Sequence, residues 1–251
     1  MARLEENLQA QQRFIADAAH QMRTPLTGLR MQTDLALMET DPIQVHRSLI
    51  HISQSAERAG HLINQLLSLA RAEASYEKIY AVERVDLETL LRAMLSDFVP
   101  RARQKNIDFG LETTGEPLLI DGNPVLLGEL VKNLIDNAIK YTPEGGCVTV
   151  RTIATERAIL EVEDTGIGVP DVDRERVFER FYRVLGSTES GSGLGLPIVR
   201  EIAELHRAKV SLIPNPSGKG TIAQVVFPRS RAGEEAPTPE ARPPTDQFPP
   251  A

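Results

Sequence analysis

Val45, Leu49, Ile52, Ala56, Ala59, Ile63, Leu66 and Ala70 recur at alternating steps of four and three, the spacing of a coiled-coil seam. A stripe of that length runs along one face of one helix and has to be covered by something equally long. The turn Thr40-Asp41-Pro42 precedes it; Asp41 can cap a helix and Pro42 can open one. Before the turn a weaker series, Leu4, Leu8, Ile15, Ala18 and Met22, marks a first helix. One hairpin cannot cover such a seam, so the pattern predicts a homodimer in which two hairpins close a four-helix bundle. The competing arrangement packs the hairpin on the rest of its own chain.

Beyond Ser75 the periodicity becomes mixed. Strands are predicted at Val82 to Val85, Ile107 to Leu111 and Leu118 to Ile120, with a helix from Leu87 to Arg103 behind the cap Asp86. A second helix runs from Asn123-Pro124 to Tyr141, then Cys147 to Ile153 and Ile159 to Val162 form a hairpin. After a long loop from Asp164 to about Ser192 come a helix from Leu194 to His206 and strands Val210 to Ile213 and Ile222 to Phe227. The expected fold class is α plus α/β: a helical hairpin over residues 1–75, a linker at 76–81, helices on one sheet over 82–230, and a tail at 231–251. The tail holds six prolines from Pro237 to Pro250 and few apolar residues, which predicts disorder. A loop as long as 164–192 inside a compact domain is expected to bind something or to move.

Composition narrows the partners. Among 251 residues, 28 Lys and Arg stand against 35 Asp and Glu, a formal net charge of -7, so a broad electrostatic grip on nucleic acid or anionic lipid is not expected. Cys147 is the single cysteine, which excludes an intrachain disulfide and suits a reducing compartment. No run reaches the ~18 apolar residues of a membrane span, and the start of the chain lacks a signal-peptide pattern. As written, the chain reads as cytosolic.

Two groups of residues carry chemistry. His20 lies two positions after Ala18 and two before Met22, which turns its imidazole to the outer face of the first helix. A neutral imidazole, with its ordinary pKa of about 6.5, is a competent nucleophile toward phosphorus. Pro25 deletes a helical hydrogen bond close by, at a cost of up to ~3 kcal/mol, and Thr24 lies one turn beyond His20 on the same face. The second group sits on the helix from Pro124. Glu129, Asn133, Asn137 and Lys140 recur at steps of four, four and three, forming a polar stripe opposite Leu126, Leu130, Leu134, Ile135 and Ala138. Carboxamide oxygens coordinate Mg2+ without titrating, and an ammonium neutralises phosphate, so the stripe suits a magnesium nucleotide. Asp164-Thr165-Gly166-Ile167-Gly168 lets backbone approach a flat ring while a carboxylate accepts from an exocyclic amine. Gly191-Ser192-Gly193-Leu194-Gly195 opens a helix whose free N–H groups suit phosphate.

The run Phe14 to Leu26, with His20-Gln21-Met22-Arg23-Thr24-Pro25-Leu26 at its centre, resembles the phosphoacceptor box of sensor histidine kinases. Asn133 to Pro143, Asp164 to Gly168, Phe178-Glu179-Arg180-Phe181-Tyr182-Arg183 and Gly191 to Gly195 are similar to the N, G1, F and G2 boxes of that family's ATP-binding domain. The resemblance covers Phe14 to Phe227. It implies an α/β sandwich of the GHKL (Bergerat) type behind a dimeric hairpin, with ATP and Mg2+ as cofactors. It also implies autophosphorylation of His20 and transfer to an aspartate of a response regulator receiver domain. By the same resemblance Asn133 is the Mg2+ ligand, Asn137 and Lys140 contact phosphate, Tyr141 neighbours the nucleotide and Asp164 reads the adenine amino group. Gly166, Gly168, Gly191, Gly193, Leu194 and Gly195 shape the site; Phe178 and Phe181 anchor a lid; Thr221 supports the adenine pocket. Thr24 matches the position implicated in dephosphorylating the partner.

One departure concerns Gln21, which stands where the family has Glu or Asp. An amide takes no proton, so Gln21 is left to orient the ring through its carbonyl oxygen, and three alternatives stand for the proton: Asp17, the nearest acid, bulk water, or an imidazole already deprotonated. Two other functions use the same residues. A gyrase-like or mismatch-repair-like ATPase would use a glutamate placed like Glu129 to activate water, although the helical hairpin argues against it. A dimerisation scaffold would bind nucleotide without turnover. The helical start of the chain suggests the cytoplasmic portion of an inner-membrane receptor, attached only through a sensor segment that this chain does not contain.

Overall fold

A computed structural model of the chain describes residues 22, 23, 25–74, 82–185, 189 and 191–230. Residues 22, 23 and 25–38 are helical, and we call 25–38 α1. Helix α2, Pro42–Ala74, follows. Its start uses the expected chemistry: Asp41 Oδ1 accepts from Ile43 N at 3.0 Å, and the Asp41 carbonyl accepts from Val45 N at 3.0 Å. The seam is only partly covered. Leu49 remains 54% and Ile63 40% exposed, whereas Val45, Ile52 and Ala59 are half-buried. Within its own chain α2 packs against α6, described below, and Met22 packs against the α/β core. The in-chain contact therefore exists beside an apolar stripe that it leaves open.

The second half folds as strands β1 (Glu83–Asp86), β2 (Asp108–Glu112), β3 (Leu119–Gly122), β4 (Cys147–Ala154), β5 (Arg157–Asp164), β6 (Lys209–Pro214) and β7 (Thr221–Pro228). Helices α3 (Leu87–Leu95), α4 (Val99–Gln104), α5 (Pro124–Tyr141) and α6 (Gly195–Leu205) join them. Five strands form one sheet in the order β2-β4-β5-β7-β6, parallel only between β2 and β4. The expectation of a single sheet needs correction, because β1 and β3 pair antiparallel in a separate two-stranded ribbon. So does the single helix expected from Leu87 to Arg103. It breaks after Leu95, since Pro100 lacks an N–H and its ring crowds the carbonyl four residues back, at Ser96.

Helices α5 and α6 bury their apolar sides on the sheet. Leu127, Leu130, Ile135, Ile198, Val199 and Ile202 meet Val148, Val150, Leu160, Val225 and Phe227, all fully or almost fully buried. Each such side chain contributes about 1.5–3 kcal/mol of burial energy. This packing fixes the two helices side by side, so that the C-terminal half of α5 lies against the start of α6. Helix α3 is tied in by Glu88, whose carboxylate accepts from Thr114 N, Thr114 Oγ1 and Thr152 Oγ1 at 2.8, 2.6 and 3.0 Å. Burial alone would raise this carboxyl. The Thr114 and Thr152 bonds, with Arg92 nearby, outweigh it and hold Glu88 below the ordinary glutamate range.

Candidate functional site

Asn123 caps α5 as its sequence suggests, its Oδ1 accepting from Val125 N and Leu126 N at 3.0 Å each. With the apolar side turned to the sheet, the polar stripe faces the start of α6. Asn133 is 6% exposed and donates through Nδ2 to the Glu129 carbonyl at 2.8 Å, which commits its amide nitrogen and leaves Oδ1 to face outward. A Cβ added to Gly195 would lie 3.3 Å from both Asn133 Oδ1 and Asn137 Nδ2. The first residue of α6 thus sits directly against both carboxamides. Among the described residues nothing bonds Asn133 Oδ1 or the Asn137 side chain, and Glu129 is half-buried one turn earlier. Lys140 Nζ is 3.3 Å from Tyr141 OH and 4.7 Å above that ring, and a Cβ on Gly191 would come within 2.3 Å of it. The N-box stripe and both ends of the glycine loop therefore meet.

At the end of β5, Asp164 Oδ1 accepts from Gly166 N at 2.8 Å and Thr221 N at 3.3 Å. Both donors use one oxygen, and among the described residues Oδ2 accepts nothing. Burial pushes this carboxyl above the ordinary aspartate range and Glu163 adds to the push, against the pull of the two N–H groups. A desolvated carboxylate with a spare oxygen at a turn is what a hydrogen-bond reader of a ligand needs. Gly166 lies so close to the Tyr141 carbonyl that a Cβ would stand 2.5 Å from its oxygen, which joins this turn to the end of α5. Gly168 opposes the carbonyl of Gly220, and a cavity of about 480 Å³ opens between Gly166–Pro170 and Gly218–Gly220.

The long loop has its own anchors. Phe178 is buried in the core, and the Arg200 guanidinium of α6 stacks 4.2 Å from its ring while reaching Glu175 at 2.9 Å. Phe181 is half-buried at φ 63 and donates its N–H to the Gly193 carbonyl at 2.9 Å. Gly193 itself takes φ +72, and a Cβ there would strike the Phe181 backbone at 2.7 Å, so only glycine fits. Leu194 is fully buried and anchors the turn into α6.

His20, Gln21 and Thr24, together with Asp17, lie outside the described residues. The positions expected from the sequence to hold a nucleotide, Asn133, Asn137, Lys140, Tyr141, Asp164, Gly166, Gly168, Phe181, Gly191, Gly193, Leu194, Gly195 and Thr221, are linked to one another by the contacts just described. Three supporting residues carry little or no sequence signal. Asn215 Nδ2 holds the Asp164 carbonyl at 3.0 Å and Glu163 Oε1 at 2.9 Å, a role hinted at only by the turn sequence Asn215-Pro216-Ser217-Gly218. His206 Nε2 accepts from Asn123 N at 3.0 Å and its Nδ1 meets the Ile202 carbonyl at 2.7 Å, linking the end of α6 to the start of α5. Lys105 reaches the far end of α5, with no local sequence signal beyond being a cation after a short helix.

Comparison with known proteins identifies the family of the chain. Residues 122–231 match the family described as "Histidine kinase-, DNA gyrase B-, and HSP90-like ATPase", and residues 10–75 match "His Kinase A (phospho-acceptor) domain". The sensor protein kinase PmrB of Pseudomonas aeruginosa is 39% identical over 248 residues, covering 97% of this chain and 50% of that protein. The sensor protein QseC of Escherichia coli is 40% identical over 210 residues, covering 83% and 46%. The chain thus spans about half the length of the curated relatives it matches. A solved structure of the mycobacterial sensor histidine kinase MprB is 34% identical with a TM-score of 0.52, covering 59% of this chain and 98% of that one.

Proposed function

The chain belongs to the sensor histidine kinases, and from that membership we propose that it binds ATP against α5, moves the γ-phosphoryl group to His20 and passes it to an aspartate of a response regulator. The observation that carries the reading is the meeting of Asn133 and Asn137 with Gly195 while Lys140 lies against Gly191. Polar side chains with unused hydrogen-bonding atoms face glycines whose missing Cβ leaves room, which suits a triphosphate. In this reading Asp164 Oδ2 accepts from the adenine amino group, and Lys140 and the N–H groups opening α6 neutralise phosphate charge. Mg2+ fits the same place: Asn133 Oδ1 is neutral, unbonded and turned toward Gly195, and it would hold the ion. When bound, the ion supplies further neutralisation of phosphate charge.

The unprotonated nitrogen of His20 attacks the γ-phosphorus, the bond to the β-phosphate oxygen breaks and ADP leaves. The phosphorylated ring then gives the proton on its other nitrogen to water. Since attack uses a lone pair already free at neutral pH, Gln21 need only accept that N–H through its carboxamide oxygen, so its replacement of a carboxylate is compatible with transfer. Thr24, four residues after His20 in the sequence, is assigned to dephosphorylation of the regulator. Residues 1–75 would form the phosphotransfer hairpin, 76–81 the linker and 82–230 the catalytic unit. Two copies would pair through the open seam at Leu49 and Ile63. No helix among the described residues is long and apolar enough to cross a membrane; we assign this chain to the cytoplasmic side of a membrane receptor, as its sensor-protein relatives suggest.

Incubation with γ-labelled ATP and Mg2+ tests the reading. An acid-labile, base-stable protein phosphate that disappears in His20→Gln is expected. Free phosphate without labelled protein would mean an ATPase acting through Glu129, and neither product would mean a scaffold.

A further inference from the structure

We infer that Lys105 is a positioning residue of the nucleotide site, holding the last turn of α5 so that Lys140 and Tyr141 stand where phosphate is met. This rests on the proposed ATP site and adds a residue to it. An α-helix ends with four carbonyls that have no partner within the helix, and in α5 these belong to Ala138, Ile139, Lys140 and Tyr141. The Ala138 carbonyl accepts from Thr142 N at 3.0 Å and Thr142 Oγ1 at 2.7 Å. Lys105 Nζ donates to the carbonyls of Ile139 at 3.0 Å and Lys140 at 2.9 Å, and to that of Thr142 at 2.9 Å. An ammonium has three protons, and all three are used on this one helix end, where a positive charge is also favoured by the helix dipole.

The rest of the same segment clamps the same place. Arg101 pairs with Asp136, Asn106 Nδ2 donates to Glu144 Oε1 at 2.7 Å, and Gly145 N donates to the Lys105 carbonyl at 3.2 Å. From Arg101 to Asn106, α4 and its following turn therefore brace α5 on either side of the residue whose ammonium approaches Gly191. Without the Lys105 bonds, two carbonyls of the terminal turn lose their partners, and the turn that carries Lys140 and Tyr141 frays first. The hydrogen bonds that hold Asp164, from Gly166 N, Thr221 N and Asn215, include none made by Lys105, and only the packing of Gly166 on the Tyr141 carbonyl links this turn to the braced one.

The two ends of the ligand should thus respond differently. The full chain, Lys105→Gln and Lys105→Met are compared for ATP and adenosine binding by calorimetry, with thermal melting to establish folding; the methionine variant keeps the stem should glutamine prevent folding. Loss of Lys105 is expected to weaken ATP by about tenfold or more and adenosine by less than about twofold. In a Lys140→Gln background the same change should weaken ATP by less than about twofold, because the group it positions is gone. Equal weakening of ATP and adenosine, unchanged affinity for both, or full additivity with Lys140→Gln would overturn the assignment. A wild-type chain that binds no ATP would overturn the proposed function, and this inference with it.

Discussion

Replacing Asp164 by asparagine should separate stability from nucleotide recognition. Asp164 Oδ1 already holds Gly166 N at 2.8 Å and Thr221 N at 3.3 Å; the asparagine carbonyl can keep both bonds, so Nδ2 must take the place of Oδ2. A donor then faces the adenine amino group, itself a donor. Losing a charge-assisted bond costs about 1.5–3 kcal/mol and leaving a donor unpaired about 1–3 kcal/mol more. At about 1.4 kcal/mol per decade, ATP should bind roughly sixtyfold to twenty-thousandfold more weakly. Stability should move the other way. Burial raises the native carboxyl above its unfolded pKa, so the ionised form is disfavoured on folding; stability is greatest below the unfolded value and declines as pH rises through the folded one. The neutral amide removes that decline, and the variant should melt at or above the wild-type temperature at pH 7. Inosine triphosphate supplies the sharper control, since its exocyclic carbonyl oxygen accepts where the adenine amino group donates: the wild type should prefer ATP, and Asp164→Asn should narrow or invert that preference. Calorimetry with both nucleotides, alongside melting curves, reads all three effects. Undiminished ATP binding by a folded Asp164→Asn chain would mean that Asp164 Oδ2 does not read the adenine amino group.

Other positions make separate predictions. Burial lowers the pKa of His206 below its ordinary value, while its bond to the Ile202 carbonyl opposes this. Stability should therefore be full above the unfolded pKa of about 6.5 and fall as pH drops below it; urea unfolding from pH 8 to 5 measures the slope, which should flatten in His206→Gln. Gly220 has φ +92 and a Cβ there would lie 1.9 Å from the Asp164 carbonyl oxygen, so Gly220→Ala should cost about 2–4 kcal/mol in chemical denaturation, and a loss under about 1 kcal/mol would count against this packing. Leu49→Glu with Ile63→Glu should turn a dimer into a monomer in analytical ultracentrifugation while ATP affinity stays unchanged. A wild-type chain already monomeric at high concentration would contradict the pairing.

The parts of this protein that sequence reveals are those whose cause is local. Helix α5 is legible because Asn123-Pro124 caps and opens it and because its apolar and polar residues keep separate faces. The same is true of the Asp41-Pro42 start of α2. The glycine positions were also legible, although the reason for each emerged only from what faces it, such as Asn133 and Asn137 at Gly195. The break between α3 and α4 was written in Pro100 but masked by an otherwise continuous helical pattern. Less accessible are contacts closed over long stretches of chain. Lys105 meets carbonyls 34 to 37 residues away and His206 meets Asn123 across 83, separations at which no periodicity operates. The pairing of β1 with β3 joins two strands of four residues each, too short for alternation to announce a partner.

In the proposed function the nucleotide cradle on α5 serves one histidine of the hairpin. After incubation with ATP and Mg2+, peptides kept at alkaline pH can be sequenced by electron-transfer mass spectrometry, which retains the phosphoramidate bond. Phosphate is expected on His20 and on none of His46, His51, His61 or His206. Phosphate on any of those four, or an unmodified His20 in a chain that demonstrably binds ATP, would contradict it.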